Sequence, residues 1–286
     1  MKIRTPAKIN PILYILGKRE DGFHELYMHM VPVSLYDSLT FTPNKNNGLR
    51  FQSRGAAVSA SHEDNLVVHA VKSFEQYSGI KVNQDIFLEK QIPSGAGLGG
   101  GSGNAAGTIK ALNYIYRKSS DSDGLFPPET LHEMALDLGS DVPFFLQPAP
   151  AEIRGRGEKL KTLDEYPEFH VLIIKPSFSI STLEAYQNCL PKMQAIFPKI
   201  SSFDELKSQM QNQFESSLLV QYPVLSKLKS LLLENGAFGA LVSGSGSAVF
   251  GVFNNKDKQY QAYKNFSCLQ IGEIFTCETL VRHHYI

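Results

Sequence analysis

The stretch PSGAGLGGGSGNAAG, residues 93–107, constrains this chain more than any other feature. Seven of its fifteen residues are glycine and three are alanine. Glycine loses the most backbone entropy on ordering and gives a core no side chain to pack. Such a cluster has to serve left-handed backbone, the close approach of another group, or both. The flanks narrow the choice. IKVNQDIFLEKQIP (80–93) reads as a strand that Pro93 ends, and NAAGTIKALNYIY (104–116) puts Ala105, Ile109, Leu112 and Tyr116 on one helical face. Strand, loop and helix in that order place the glycines at a helix start. There the first four backbone N–H groups lack partners, and the macrodipole adds about half a positive charge. A phosphate fits such a place, and Ser102 stands where it can meet the phosphate or its magnesium ion.

Other readings of the glycines compete. A tight structural turn needs one or two glycines, fewer than are present. The GxxxxGK[ST] loop is absent, because no lysine follows the run. A GxGxxG match falls on Gly95, Gly97 and Gly100, but it lies well inside the chain and lacks a clean βαβ unit with an acidic residue ending the next strand. A second Gly/Ser segment, SGSGS (243–247), also suits a nucleoside triphosphate better than a dinucleotide, although a tight hairpin would also explain its glycines.

Composition bounds the remaining function classes. With 286 residues the chain is long enough for a real core, and 28 basic residues balance 28 acidic ones. No basic excess or stripe marks a nucleic-acid surface, so an anionic ligand must be held by local geometry. Cys189, Cys268 and Cys277 match no zinc or CxxC spacing and read as reduced thiols of a cytoplasmic protein. His283 and His284 read as a solvated tail. No run approaches the ~20 apolar residues of a membrane span, and the N-terminus lacks the apolar core of a signal peptide.

The remaining segments alternate helix and strand. Residues 31–43 read as an extended segment broken by a turn, 62–79 as a helix stopped by Gly79, and 127–139 as a helix stopped by Gly139. Residues 150–165 have little periodicity and suggest a soft boundary. Beyond them come a buried strand (169–176), helices at 203–214 and 224–236, apolar strands around SGSGS, a charged helix from Lys256 and a last strand, EIFTCETLV.

Four segments carry a resemblance: AKINPILYILGKREDGFHEL (7–26), the glycine stretch, LGSDVPFF (138–145) and SGSGSAVFG (243–251). In that order they resemble the GHMP small-molecule kinases. The triple glycine and GKREDGFHEL resemble the branch acting on a cytidine-diphosphate-linked methylerythritol in non-mevalonate isoprenoid synthesis. Gly103 departs from the pattern, standing where the family usually has a second serine; Phe23 stands where it commonly has tyrosine.

The resemblance implies an α+β, two-domain GHMP kinase fold. Its ribosomal protein S5 domain 2-like N-terminal domain would cover 1–155, and its ferredoxin-like C-terminal domain 156–286. The implied activity is phosphorylation of the substrate's 2-hydroxyl by ATP with Mg2+. Asp141 would be the base and Lys8 the cation that pairs with it and polarises the hydroxyl. ATP would be bound by Pro93, Ser94, Gly95, Ala96, Gly97, Leu98, Gly99, Gly100, Gly101, Ser102 and Gly103, with Asn65, Leu66 and Lys90 nearby. The metal would be held mainly by phosphate oxygens, with Ser102 as a further contact. His24 would read the cytosine edge, with Phe23 and Tyr186 on its two faces. Asn10 and Thr182 would meet the methylerythritol and its phosphates, and Ser243, Gly244 and Ser245 the substrate phosphates. The implied partner is a small molecule, with no nucleic acid or membrane and no stated oligomer. A homoserine or mevalonate kinase would instead need a polar site in place of DGFH. A nucleotide-binding protein without catalysis would lack Lys8 or Asp141, and both are present.

Overall fold

The computed structural model describes residues 1–45, 48–56, 63–118, 123–189, 191 and 197–281; the paired histidines at 283–284 lie outside them. The chain forms two compact units. The first comprises Met1–Ala7, Tyr36–Ser94 and Gly99–Pro148, and the second Lys8–Leu35, Gly95–Leu98 and Ala149–Ile286.

Two long strands, β1 (Lys2–Lys18) and β2 (His24–Pro43), pass through both units. In the first unit the end of β2 pairs antiparallel with β4 (Gln84–Lys90), in the register Ser38 to Glu89 through Pro43 to Gln84. Strand β3 (Arg50–Gly55) lies parallel on the other side of β4. Helices α1 (Leu66–Ser78), α2 (Gly100–Ile115) and α3 (Pro128–Leu138) complete this unit. Its core joins Leu39, Phe41, Ile86 and Leu88 of the strands to Val67, Val71 and Phe74 of α1 and to Ala111 and Leu112 of α2. Each Val, Leu, Ile or Phe side chain so removed from water contributes ~1.5–3 kcal/mol.

In the second unit the start of β2 carries β5 (Ala151–Gly155), which pairs with β6 (Lys159–Thr162). A separate antiparallel sheet has the order β11 (Glu273–Glu278), β7 (His170–Lys175), β10 (Val249–Phe253), β9 (Gly239–Val242). Helices α4 (Thr182–Gln187), α5 (Phe203–Gln209), α6 (Glu215–Gln221), α7 (Pro223–Glu234) and α8 (Lys256–Ser267) lie between these strands in sequence, with α7 packed on β9 and β10 and α8 on β7 and β11. Gln259 of α8 anchors that helix by donating its amide to the Val171 and Cys277 carbonyls.

Three expectations are corrected. Residues 31–43 are not broken by a turn but continue β2, whose later residues alternate between buried and half-buried. The expected helix at 203–214 stops at Gln209, and Gln211–Asn212 form the short strand β8, parallel to β1 at Ile12 and Leu13. Asn212 explains the break: its amide donates to the Val242 and Gly244 carbonyls, and its own carbonyl oxygen caps Phe214 N–H. Those bonds override the apolar periodicity. The non-periodic stretch after Pro150 is the β5–β6 hairpin, short and mostly exposed on β6.

Candidate active site

The glycine loop has the backbone of an anion site. Gly95, Gly97 and Gly99 have φ of 62°, 72° and 71°, and α2 begins directly afterwards with no side chain capping it. Left-handed residues alternating with ordinary ones form the concave amide arrangement called a nest. Ser94, Gly95 and Gly101 are exposed and Ser102 is half-buried, whereas Pro93, Ala96, Leu98, Gly100 and Gly103 are buried. The glycines also have a second purpose. A Cβ on Gly97 would stand 1.9 Å from the Ser243 carbonyl oxygen, and Ser243 donates its hydroxyl to the Gly97 carbonyl at 3.0 Å. Ala248 N–H donates to the Ala96 carbonyl at 3.2 Å. Loop and SGSGS segment thus lie backbone to backbone, which only glycine allows.

In the first unit, Leu66 opens α1 and lies against Gly101, where a Cβ would be 3.3 Å from its Cδ1. Asn65 caps α1, its Oδ1 accepting from Val67 N–H at 2.9 Å. Lys90 is buried and donates to Asp37 Oδ2 at 2.6 Å. Asp141 follows α3 in a turn closed by Val142 N–H on the Gly139 carbonyl. It is half-buried, while Val142, Pro143, Phe144 and Phe145, which lead into the 3-10 turn Pro143–Leu146, are buried.

In the second unit, Lys8 and Asn10 share a face of β1, as i and i+2 must. Both are buried, and Lys8 Nζ donates to Asn10 Oδ1 at 2.7 Å. Lys8 N–H holds the Leu98 carbonyl at 2.9 Å. Gly244 is close by: a Cβ there would be 3.3 Å from Lys8 Nζ and 3.5 Å from Asn10 Oδ1. The structure therefore brings the expected Lys8, Asn10, Gly97, Ser243 and Gly244 together. Nothing but motif order tied them in the sequence.

The expected base-reading residues occupy the β1–β2 turn and α4. His24 and Tyr186 stack with ring centroids 4.8 Å apart and planes 25° apart. Phe23 is exposed beneath the Arg156 guanidinium, 4.9 Å from its centroid. Arg19 orders the turn through Glu25 and Asp21, while Asp21 accepts from Phe23 N–H. Burial, then the Lys18 charge, lowers the His24 pKa, so the ring is neutral at neutral pH and can both give and accept a hydrogen bond. Thr182 and Ser245 meet hydroxyl to hydroxyl at 3.2 Å.

Asp37 and Asn104 in the first unit, and Asn212 and Arg156 in the second, adjoin the residues described above within their own units and were not identified as site residues from sequence. Asp37 sits in an alternating strand, where an acid normally faces water. Arg156 lies in a stretch without periodicity. Among the described residues no group of three or more His, Cys, Asp or Glu side chains is placed to hold a metal. Among those residues, too, no helix is long and apolar enough to cross a membrane.

Comparison with known proteins places the chain in a family. Residues 65–147 match the GHMP kinases N terminal domain and residues 193–269 the GHMP kinases C terminal domain. A mixed helix-and-sheet kinase of the GHMP class is thereby defined. A 4-diphosphocytidyl-2-C-methyl-D-erythritol kinase of Syntrophus aciditrophicus is 40% identical over 92% of this chain and 93% of its own. One of Syntrophotalea carbinolica is 38% identical over 96% and 97%. A crystal structure of 4-(cytidine 5'-diphospho)-2C-methyl-D-erythritol kinase superposes with a TM-score of 0.83 at 32% identity, covering 98% of this chain and 99% of that one. The chain belongs to the 4-diphosphocytidyl-2-C-methyl-D-erythritol kinase family of GHMP kinases.

Proposed function

We propose that this chain transfers the terminal phosphoryl group of ATP to the 2-hydroxyl of 4-diphosphocytidyl-2-C-methyl-D-erythritol. The alcohol oxygen bonds to phosphorus, the bridging P–O bond breaks, ADP leaves, and the hydroxyl proton passes to Asp141. Phosphoryl transfer asks little covalent chemistry of a protein and much positioning and charge stabilisation. The glycine loop supplies backbone amides for the phosphates. Lys8, held against Asn10 and Gly244, supplies a buried cation for the reacting oxygens. Mg2+ bound with ATP would neutralise phosphate charge; Ser102, half-buried in the first turn of α2, fits an oxygen contact to it. The neutral His24 ring on Tyr186 suits a pyrimidine edge, which needs one donor and one acceptor.

The observation that carries this reading is the run of left-handed glycines opening an uncapped helix in a chain with these relatives. The test is ADP release with ATP and a panel of alcohols. The cytidine-linked methylerythritol should turn over and homoserine and mevalonate should not. Asp141→Asn should lower kcat ~10²–10⁴-fold with the KM for ATP nearly unchanged. Turnover only on homoserine or mevalonate would reassign the substrate, and full activity of the Asp141 variant would reassign the base.

A further inference from the structure

A heavily engaged carboxylate of the first unit belongs to Asp37, a residue outside every motif. It is fully buried on β2 and has four donors. Oδ1 accepts from the N–H groups of Gln91 and Ile92 at 2.7 and 2.8 Å. Oδ2 accepts from Lys90 Nζ at 2.6 Å and from Asn104 Nδ2 at 2.8 Å. Asn104 in turn accepts from the Thr5 hydroxyl at 2.6 Å, which fixes the orientation of its amide. Oδ1 holds the backbone where β4 ends and the glycine loop begins, and Oδ2 joins the end of β4, through the Lys90 ammonium, to α2 just after the loop has ended. The two roots also touch: a Cβ on Gly100 would stand 2.9 Å from both Ile92 Cγ2 and Lys90 Nζ.

Stability is a poor explanation for such an arrangement. A buried ion pair is often matched or bettered by apolar side chains of similar volume, because both charges lose their hydration. The Lys90 ammonium, moreover, lies beside the first residue of α2, the end of a helix where the macrodipole disfavours a cation. The Asp37 charge makes that placement tolerable. In return the carboxylate gains hydrogen bonds that no apolar residue offers, to two strand-end amides that lie past the β4 ladder.

We infer that Asp37 is a positioning residue of the nucleotide site: it clamps the entry and exit of the glycine loop so that the loop's amides stay aligned on the triphosphate. Lys90 serves as the buried counter-ion of that clamp. This inference rests on the proposal that the loop receives ATP, and it makes no reference to which alcohol is phosphorylated.

The experiment measures nucleotide affinity directly, by calorimetry with a non-hydrolysable ATP analogue, alongside KM for both substrates and thermal unfolding. Asp37→Asn keeps the size but places an amide where Lys90 and Asn104 both donate. It should weaken the analogue and raise the KM for ATP about 10–100-fold, the scale of one lost hydrogen bond from a loop amide to a charged phosphate. The KM for the cytidine-linked alcohol should stay within about twofold. If Asp37→Asn does not fold, Asn104→Ser removes the Asp37 tie to α2 together with the Thr5 contact, leaves the Asp37–Lys90 pair in place, and should show the same nucleotide-specific loss at smaller size. Reduced melting temperature with unchanged nucleotide affinity, in whichever variant folds, would reduce Asp37 to a structural residue and overturn the inference. So would equal losses for both substrates. Tight analogue binding by the unaltered protein without phosphorylation of the alcohol would defeat the substrate reading alone. No analogue binding by the unaltered protein would defeat both.

Discussion

His29, on β2, is buried beneath Asn10: its carbonyl accepts from the Asn10 amide at 3.4 Å. Its Nε2 lies 3.0 Å from the Tyr27 hydroxyl, which donates to Glu152 at 3.1 Å. The tautomer that fits carries its proton on Nε2 and leaves Nδ1 bare, and Nδ1 has no partner among the described residues. Burial pushes the pKa from 6.5 down to about 4, against the smaller opposing pull of Glu152. The folded value lies below the unfolded one, so the full contribution is present above pH 6.5. It is lost as pH falls, because the unfolded chain takes up a proton that the folded chain refuses until about pH 4. At ~1.4 kcal/mol per unit the loss approaches about 3 kcal/mol. Urea unfolding at pH 7.5 and 4.5 should therefore show a drop for the unaltered protein that His29→Gln lacks by about 2–3 kcal/mol. Equal drops would assign the acid sensitivity elsewhere. At this scale the candidates the sequence offers are residues that sit in motifs, such as Lys8, Asp141 and His24. Asp37 and Asn212 stayed hidden because their work is done through backbone groups distant in the chain, which no local pattern records.

Helices with one apolar stripe were legible, and α1, α3, α7 and α8 fall where periodicity and stop signals put them. Strand β1 was not. Thr5–Ile15 are buried without alternation, so period two never appears, and a strand covered on both faces looks like any apolar run. Helix α2 shows the opposite ambiguity, since its glycines read as phosphate chemistry although some are packing. Gly107 lies in the second turn, where a Cβ would be 2.5 Å from Thr5 Cγ2 and 3.0 Å from Ile3 Cδ1. Two forces oppose each other in Gly107→Ala. Helix propensity favours alanine by ~1 kcal/mol, whereas overpacking a tight contact costs ~1–3 kcal/mol. Because Thr5 is also held by Asn104, it cannot turn aside freely, and the clash should win. Gly107→Ala is expected to lower the melting temperature by about 2–6 °C. An increase would mean that β1 shifts at little cost and that the glycine is not needed for space.

The order of the chain and the order of its compact units differ, which limits what linear reading can say about the whole molecule. The second unit takes Lys8–Leu35 and Gly95–Leu98 from the N-terminal half. Those borrowed residues supply backbone partners rather than mere surface. Leu26–Met30 carry β5 in the register Leu26 to Gly155 through Met30 to Ala151, and Leu13 pairs with Asn212 of β8. Val33 bridges Thr279, and Leu280 N–H donates to the Pro32 carbonyl. A fragment beginning at Ala149 would keep the β11–β7–β10–β9 sheet with α7 and α8 but would leave each of those partners without its mate. Buried backbone groups without partners each cost ~1–3 kcal/mol, and several such losses compare with the ~5–15 kcal/mol that holds a domain folded. The fragment 149–286 should therefore show no cooperative urea transition and should expose apolar surface to a dye. A sharp transition with native-like near-UV circular dichroism would instead establish that the four-stranded sheet and its helices form a self-sufficient folding unit, and that β1 and β2 are additions to it.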